Sequence, residues 1–357
     1  MAVLLLLPIS IIGISFLANT RDKSKLSAKV FIVICTILMI AVMGFRSANS
    51  GMDTQNYINL FVKYQNYETF GEIVERANFF ENGFFFSESG FYIFTWLMGR
   101  IFSHYRFFLL AISTVVGVCV ARFAWKNSAD LSTALIVFVC LGSMTFCMSG
   151  IRQSMAMAIC LLSYEYVKRR KPIRFLLVVF IAVLFHKSAM IFLIAYFAYY
   201  LKFNWKSFAI SGVVLSLVFL FADELSLLYD DMTGEDYSGA ESFEGGGLFV
   251  ILVYVLCIVA AIAFNKRMRY EREETMPFYL SVAGLVIYVL RFTSVQIFER
   301  ISYYFVFFLM VLLPSTLEQL NPKDKKIISM LFVIFALALF AYRIPNGVFA
   351  NYELSWN

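Results

Sequence analysis

The chain is poor in charge. Of its 357 residues only 15% are Asp, Glu, Lys or Arg, against 61% hydrophobic, and the mean hydropathy is +0.77. Soluble domains carry about 25% charged and about 45–50% apolar residues. The deficit excludes a soluble globular protein and predicts an all-α, polytopic membrane protein. The net charge of +6 is then no sign of nucleic-acid binding. It is a topological signal, because cytoplasmic connections collect Lys and Arg. The six cysteines form no C-x-x-C pair. Cys140 and Cys147 fall on one predicted helix about 10 Å apart, too far to bridge, and read as small apolar packing residues. No D-x-D pattern occurs, so no metal is inferred and no cofactor is expected. The N-terminal run MAVLLLLPISIIGISFLA lacks a basic lead and a small-residue cleavage site. It reads as a retained membrane helix rather than a signal peptide. With no internal repeat and no low-complexity stretch, residues 1–357 read as a single membrane domain.

Apolar segments of spanning or near-spanning length fall at 2–18, 28–45, 107–124, 131–149, 152–167, 207–222, 248–264, 277–292, 301–316 and 327–342. Basic connections at 18–29, 265–274 and 321–326 are expected on the cytoplasmic side. Residues 223–247 hold eight acids and no Lys or Arg, and are expected outside, as is the long loop 46–89. The run Gly245-Gly246-Gly247 reads as a turn ahead of a helix.

Two segments are ambiguous. Residues 90–103 are short for a crossing, and the 27 residues 175–201 are long for one and short for two. The latter run contains His186, one of two histidines in the chain, followed by Lys187. A charge at a bilayer centre costs roughly 2.5–3.5 kcal/mol on insertion scales. The basic cluster Lys168, Arg169, Arg170, Lys171 and Arg174 reaches the cytoplasmic side if 90–103 stays at the outer face. Residues 175–201 then form a hairpin of two short helices with its apex near His186. The competing topology makes 90–103 a crossing and 175–201 one helix. It places five basic residues outside and His186 mid-membrane. Both give about 12 crossings, and the hairpin is the preferred reading.

The hairpin topology gathers polar residues at the outer face: Arg46, Asp53 and Tyr57 after the second helix, Arg152 and Gln153 at the start of another, His186 and Lys187 at the apex, and Arg291, Glu299 and Arg300 in a short connection. Each has a plainer reading. Arg46 snorkels, Arg291 and Arg300 pair with Glu299, Asp53 caps a turn with Gly51, and Glu88 is a solvated loop acid. His104 and Arg106 read as interfacial. Arg152 is harder to dismiss, because a helix N-terminus disfavours positive charge. Four arginines from separate regions repel one another unless an anion sits among them. Arginine's planar fork suits phosphate oxygens, and at a lipid boundary a lipid diphosphate fits.

The stretches FRSANSGMDTQNYINLF, SESGFYIF, GIRQSMAMAICLLSYEYVKRRK, IAVLFHKSAMIFLIAYF and RISYYFVFFLMVLLP resemble the EpsG family. These are bacterial exopolysaccharide polymerases similar to the Wzy polymerases of O-antigen and capsule. The resemblance runs over about residues 1–320 and carries over Arg46, Gly51, Asp53, Tyr57, Arg152, Gln153, His186 and Ser188. It implies a glycosyltransferase of the bacterial cytoplasmic (inner) membrane. Such an enzyme joins undecaprenyl-diphosphate-linked oligosaccharide repeat units at the outer face and releases undecaprenyl diphosphate. A flippase and a chain-length regulator are the implied partners, alongside membrane lipid.

From the residue types, His186 is the first choice of base, with Asp53 second, and Arg152 with Arg291 or Arg300 stabilises the leaving diphosphate. Arg46, Tyr57, Gln153, Lys187, Arg291 and Arg300 are the expected substrate-binding residues. Lys187 either helps neutralise the anion or snorkels. A flippase or exporter of lipid-linked sugar and a glycan ligase are the rival functions.

Overall fold

The protein is described here from a computed structural model covering residues 1–76, 88–221, 224, 247–292 and 295–355. Those residues are mainly helical and joined by short turns, and no strand occurs among them beyond an isolated bridge between Arg46 and Leu354. The acidic loop expected at 223–247 and its glycine turn fall almost wholly outside the described residues.

The helices follow the apolar runs. They are α1 (Ala2–Phe16), α2 (Leu26–Gly44), α3 (Thr54–Gln65), α4 (Phe70–Arg76), α5 (Ser89–Ile101) and α6 (Tyr105–Asn127). Next come α7 (Leu131–Cys140), α8 (Ser143–Ser149), α9 (Ile151–Lys168) and α10 (Pro172–Val183). A 3-10 segment at Lys187–Leu193 leads into α11 (Ile194–Ala198), then α12 (Trp205–Leu220) and α13 (Gly247–Phe264). The chain closes with α14 (Arg272–Val289), α15 (Val295–Val306), α16 (Leu309–Glu318) and α17 (Pro322–Arg343). Among the described residues, five helices are long and apolar enough to span a membrane, or seven if two bent pairs each count once. The bent pairs are α7–α8, turned by 50°, and α15–α16, turned by 44°.

These bent pairs sit at the centre. Nearly every side chain of α7, α8 and α16 is buried. Broken helices at membrane depth are tolerated only inside protein, where the freed backbone groups find partners. At the first break Gly142 adopts φ 97°, and its carbonyl accepts from Thr145 Oγ1 at 2.9 Å. Around this core, α1, α2, α10, α12, α13 and α17 turn large apolar side chains outward, as lipid-facing helices do.

All the basic connections meet at one end of the bundle. Thr20 donates to Asp130 at 2.7 Å, and Arg21 pairs with Asp130 at 3.4 Å and Glu318 at 3.1 Å. Lys168 donates to Asn127 Oδ1 at 2.7 Å. Arg170 donates to the Tyr199 hydroxyl at 3.0 Å, and Arg272 to the Tyr199 carbonyl at 3.0 Å. Arg170 and Tyr199 are therefore neighbours. A straight helix over that interval would hold them about 43 Å apart. Residues 172–198 instead run out through α10, break at Leu184–His186 and return, which is the hairpin expected from charge.

The opposite end collects the remaining polar residues. The C-terminal tail lies across it. Tyr352 donates to the Val42 carbonyl at 2.7 Å, the Ser355 amide to Phe45 at 3.0 Å, and Arg106 to Ser355 Oγ at 2.7 Å. The stretch 90–103 forms α5, whose 13 residues span about 20 Å. It packs along α3 and α6, and the residues flanking it, Glu88 and Arg106, both lie at this end. It is a helix laid beside the bundle end rather than a crossing.

Candidate active site

Four helix starts and the hairpin apex converge at this end. The first is α5. Its first turn is docked on the apex: the amides of Gly90 and Phe91 donate to the Leu184 carbonyl at 2.9 and 3.3 Å. Glycine is required here, since a Cβ at Gly90 would lie 2.9 Å from Leu184 Cβ and 3.0 Å from its carbonyl oxygen. Glu88, just before the helix, takes the left-handed conformation at φ 55°. That turn swings its carboxylate inward, where its side chain is only 6% exposed.

The carboxylate bridges two cations. Oε2 accepts from Arg152 Nη1, and Oε1 faces His186 Nδ1. Burial alone raises a carboxyl pKa, but the adjoining His186 and Arg152 outweigh it and hold Glu88 down to about 2. Glu88 is therefore ionised at any physiological pH. It resolves the oddity of Arg152: a cation at the N-terminus of α9, set against the helix dipole, is neutralised by a carboxylate from another helix.

The second arm starts at α3. Asp53 precedes the helix and Tyr57 lies one turn in. Asp53 pairs with Arg300 of α15 at 3.5 Å, and the Tyr57 hydroxyl accepts from Arg152 Nε at 3.4 Å. Gln153 closes the loop by donating to the Arg300 carbonyl at 2.7 Å. Gly51, at φ 92°, seats this turn on the α8–α9 corner, where a Cβ would lie 3.0 Å from Ser149 Oγ. On the returning limb Ser188 bonds the Tyr304 hydroxyl at 3.0 Å, fixing the apex to α15. Thus Asp53, Tyr57, Arg152, Gln153, His186 and Arg300 form one connected cluster with Glu88. Side-chain exposure is 24% for Arg152, 16% for Arg300 and 31% for Asp53, so these three are open to a ligand.

The other expected residues lie on the same end with partners of their own. Arg46 is buried, with Nε donating to Thr54 Oγ1 at 3.2 Å and Nη1 to the Met43 carbonyl. Arg291 lies over the Tyr288 ring, 5.0 Å from its centroid, and pairs with Glu299 at 3.4 Å. Lys187 is half-buried at the start of the returning limb. His104 caps α6, its Nδ1 accepting from the Arg106 amide at 3.2 Å.

The EpsG family model matches residues 29–354, a span holding the whole cluster and the tail bridge at Leu354. The chain belongs to the EpsG family. No curated protein and no solved structure matches it. Membership in EpsG makes this an integral-membrane protein of the polysaccharide-polymerase type. Glu88, which the sequence suggests is a solvated loop acid, is instead buried at the centre of the cluster. The unfavourable position of Arg152 was the signal that a carboxylate had to come from elsewhere.

Chemically, the cluster offers a histidine backed by a carboxylate, the arrangement that holds an imidazole in one tautomer and supports its charged form. It offers two part-exposed arginines, Arg152 in the first turn of α9 and Arg300 on α15, whose carbonyl Gln153 of that same first turn holds. Helix N-termini and arginines both favour anionic oxygens.

Proposed function

We propose that the chain is a polysaccharide polymerase of the bacterial cytoplasmic membrane. It joins undecaprenyl-diphosphate-linked oligosaccharide repeat units at the outer face and releases undecaprenyl diphosphate. The proposed topology has about twelve passages, counting both hairpin limbs and each bent pair once. The basic end faces the cytoplasm, as the positive-inside rule requires, and the cluster faces out. The observation that carries the reading is the bridge Arg152–Glu88–His186 beside Arg300, which sets a base next to anion-binding groups.

In the proposed step an acceptor hydroxyl oxygen attacks the anomeric carbon of the donor. The bond from that carbon to the diphosphate oxygen breaks, and its electron pair leaves with the diphosphate. The hydroxyl proton passes to His186 Nε2, because Nδ1 faces Glu88. Arg152 and Arg300 meet the charge growing on the diphosphate. Asp53, paired with Arg300, aligns that arginine and is the lesser candidate for base. Tyr57 and Gln153 hold the two arginines in place. Lys187 lies beside the path of the anion. Arg46 and Arg291, each held by its own partners, support the walls. A flippase and a chain-length regulator are the proposed partners.

The direct test is reconstitution. Purified protein in lipid nanodiscs, given extracted lipid-linked repeat units, should produce a ladder of longer glycans and release undecaprenyl diphosphate in step. Arg152→Ala should cut that rate on the order of 10²–10³-fold, the usual cost of losing one such donor. Wild-type extension by Arg152→Ala would overturn the assignment.

A further inference from the structure

We infer that Glu88 is a positioning residue that ties donor binding to the base: it holds Arg152 and His186 together in the free protein, and the donor's diphosphate draws Arg152 away, leaving the carboxylate to His186 alone. The inference rests on the polymerase reading above and adds a residue and a coupling to it.

The geometry carries it. One carboxylate has two oxygens, and each is taken by a different cation from a different element, Arg152 from α9 and His186 from the hairpin apex. Glu88 is almost sealed, at 6% side-chain exposure, while Arg152 keeps 24%. Of the two ends of the ion pair only the arginine end reaches a ligand. Arg152 also has a second anchor, the Tyr57 hydroxyl at 3.4 Å, about which its guanidinium can turn without leaving the site. A diphosphate offers more charge than a carboxylate and suits the same planar fork. Glu88 has no such choice, since the docking of Gly90 on Leu184 holds it beside His186.

The consequence is electrostatic. A carboxylate within a few ångströms favours the imidazolium, and a cation sharing that carboxylate cancels part of the effect. The charged groups around His186 are Glu88 from the turn before α5, Arg152 from α9, Lys187 on its own limb, and the Arg300–Asp53 pair from α15 and α3. Tyr304 of α15 reaches the apex through Ser188. Of these, the Arg152–Glu88 contact is the one that a diphosphate competes for directly. His186 therefore becomes the stronger base when the donor is in place.

The chain has only two histidines, His104 and His186, so their ring nitrogens can be followed individually. The experiment labels histidine with 15N in the full-length protein in detergent micelles. His104→Gln assigns the signals, and both rings are titrated with and without a short prenyl diphosphate. Glu88→Gln should lower the His186 midpoint, because the carboxylate beside Nδ1 is gone, and leave His104 unmoved. The prenyl diphosphate should raise the His186 midpoint in the wild type. In Arg152→Ala the midpoint should start high and move little on addition. Glu88→Asp covers the case in which Glu88→Gln fails to fold, and should keep most of the coupling. An unchanged His186 midpoint in Glu88→Gln overturns the inference. So does a wild-type midpoint that stays put while the prenyl diphosphate binds. The Glu88→Gln arm needs no substrate, so its failure leaves the polymerase reading standing. A prenyl diphosphate that does not bind, with the Glu88→Gln shift intact, counts against the diphosphate donor and the coupling but not against the Glu88–His186 contact.

Discussion

The Gly90 amide donates to the Leu184 carbonyl at 2.9 Å, and this contact places Glu88 beside His186. It joins a helix that lies beside the bundle end to the apex of a hairpin that enters it. Gly90→Ala would put a Cβ 2.9 Å from Leu184 Cβ. It should lower stability by about 1–3 kcal/mol, as overpacking does, and reduce glycan extension. Gly71→Ala is the control, because the nearest atom to its Cβ is Thr69 Oγ1 at 3.8 Å. Thermal unfolding in detergent for both variants checks this, with the loss expected at Gly90 alone.

Much of this end was legible in the chain. The helix break at Leu184–His186 follows from a charge argument: five basic residues before it and an imidazole within it are hard to place otherwise. Asp53, Tyr57, Arg152, Gln153 and Arg300 stand out because polar groups at the ends of apolar runs are costly to leave idle. Glu88 does not stand out. It lies among polar residues in SESGF, where an acid is ordinary, and its burial depends on a left-handed turn and a contact 94 residues away in sequence. The bend at Gly142 is equally quiet. A glycine in an apolar run is the only local mark, and the bend arises from how α7 and α8 pack in the core.

The hairpin makes a labelling prediction. The six native cysteines are free and buried, so a membrane-impermeant thiol reagent should give little background. Lys187→Cys should label from outside in intact cells. Arg170→Cys should label only after the membrane is opened. Labelling of both from one side would contradict the fold-back.

Glu88 also predicts an acid response. Its pKa in the folded protein, about 2, lies below the ordinary 4.5. The stability from its ionisation is therefore complete above about pH 4.5 and is lost as pH falls toward 2. Glu88→Gln should be less stable near neutrality and should show a flatter decline across that window. Parallel acid-unfolding curves for the two proteins would contradict the bridge.

The tail predicts a stability effect separate from chemistry. Tyr352 is buried and its hydroxyl donates to Val42 at 2.7 Å. Tyr352→Phe should cost about 1 kcal/mol, one hydrogen bond, and Tyr352→Ala about 3–5 kcal/mol, as for other large aromatic truncations. Folded Tyr352→Phe protein should still extend glycan at the wild-type rate. Melting curves paired with extension rates separate the two effects.

The central claim is polymerisation at the outer face. It is tested most directly by glycan length in a strain that builds the lipid-linked repeat unit but lacks this protein, before and after the gene is restored. The account predicts single units accumulating on the outer face without the protein and long ladders when it returns, but not when His186→Ala or Arg152→Ala returns. Single units trapped inside would make the protein a flippase, and long polymer left unattached would make it a ligase. Either result contradicts the account.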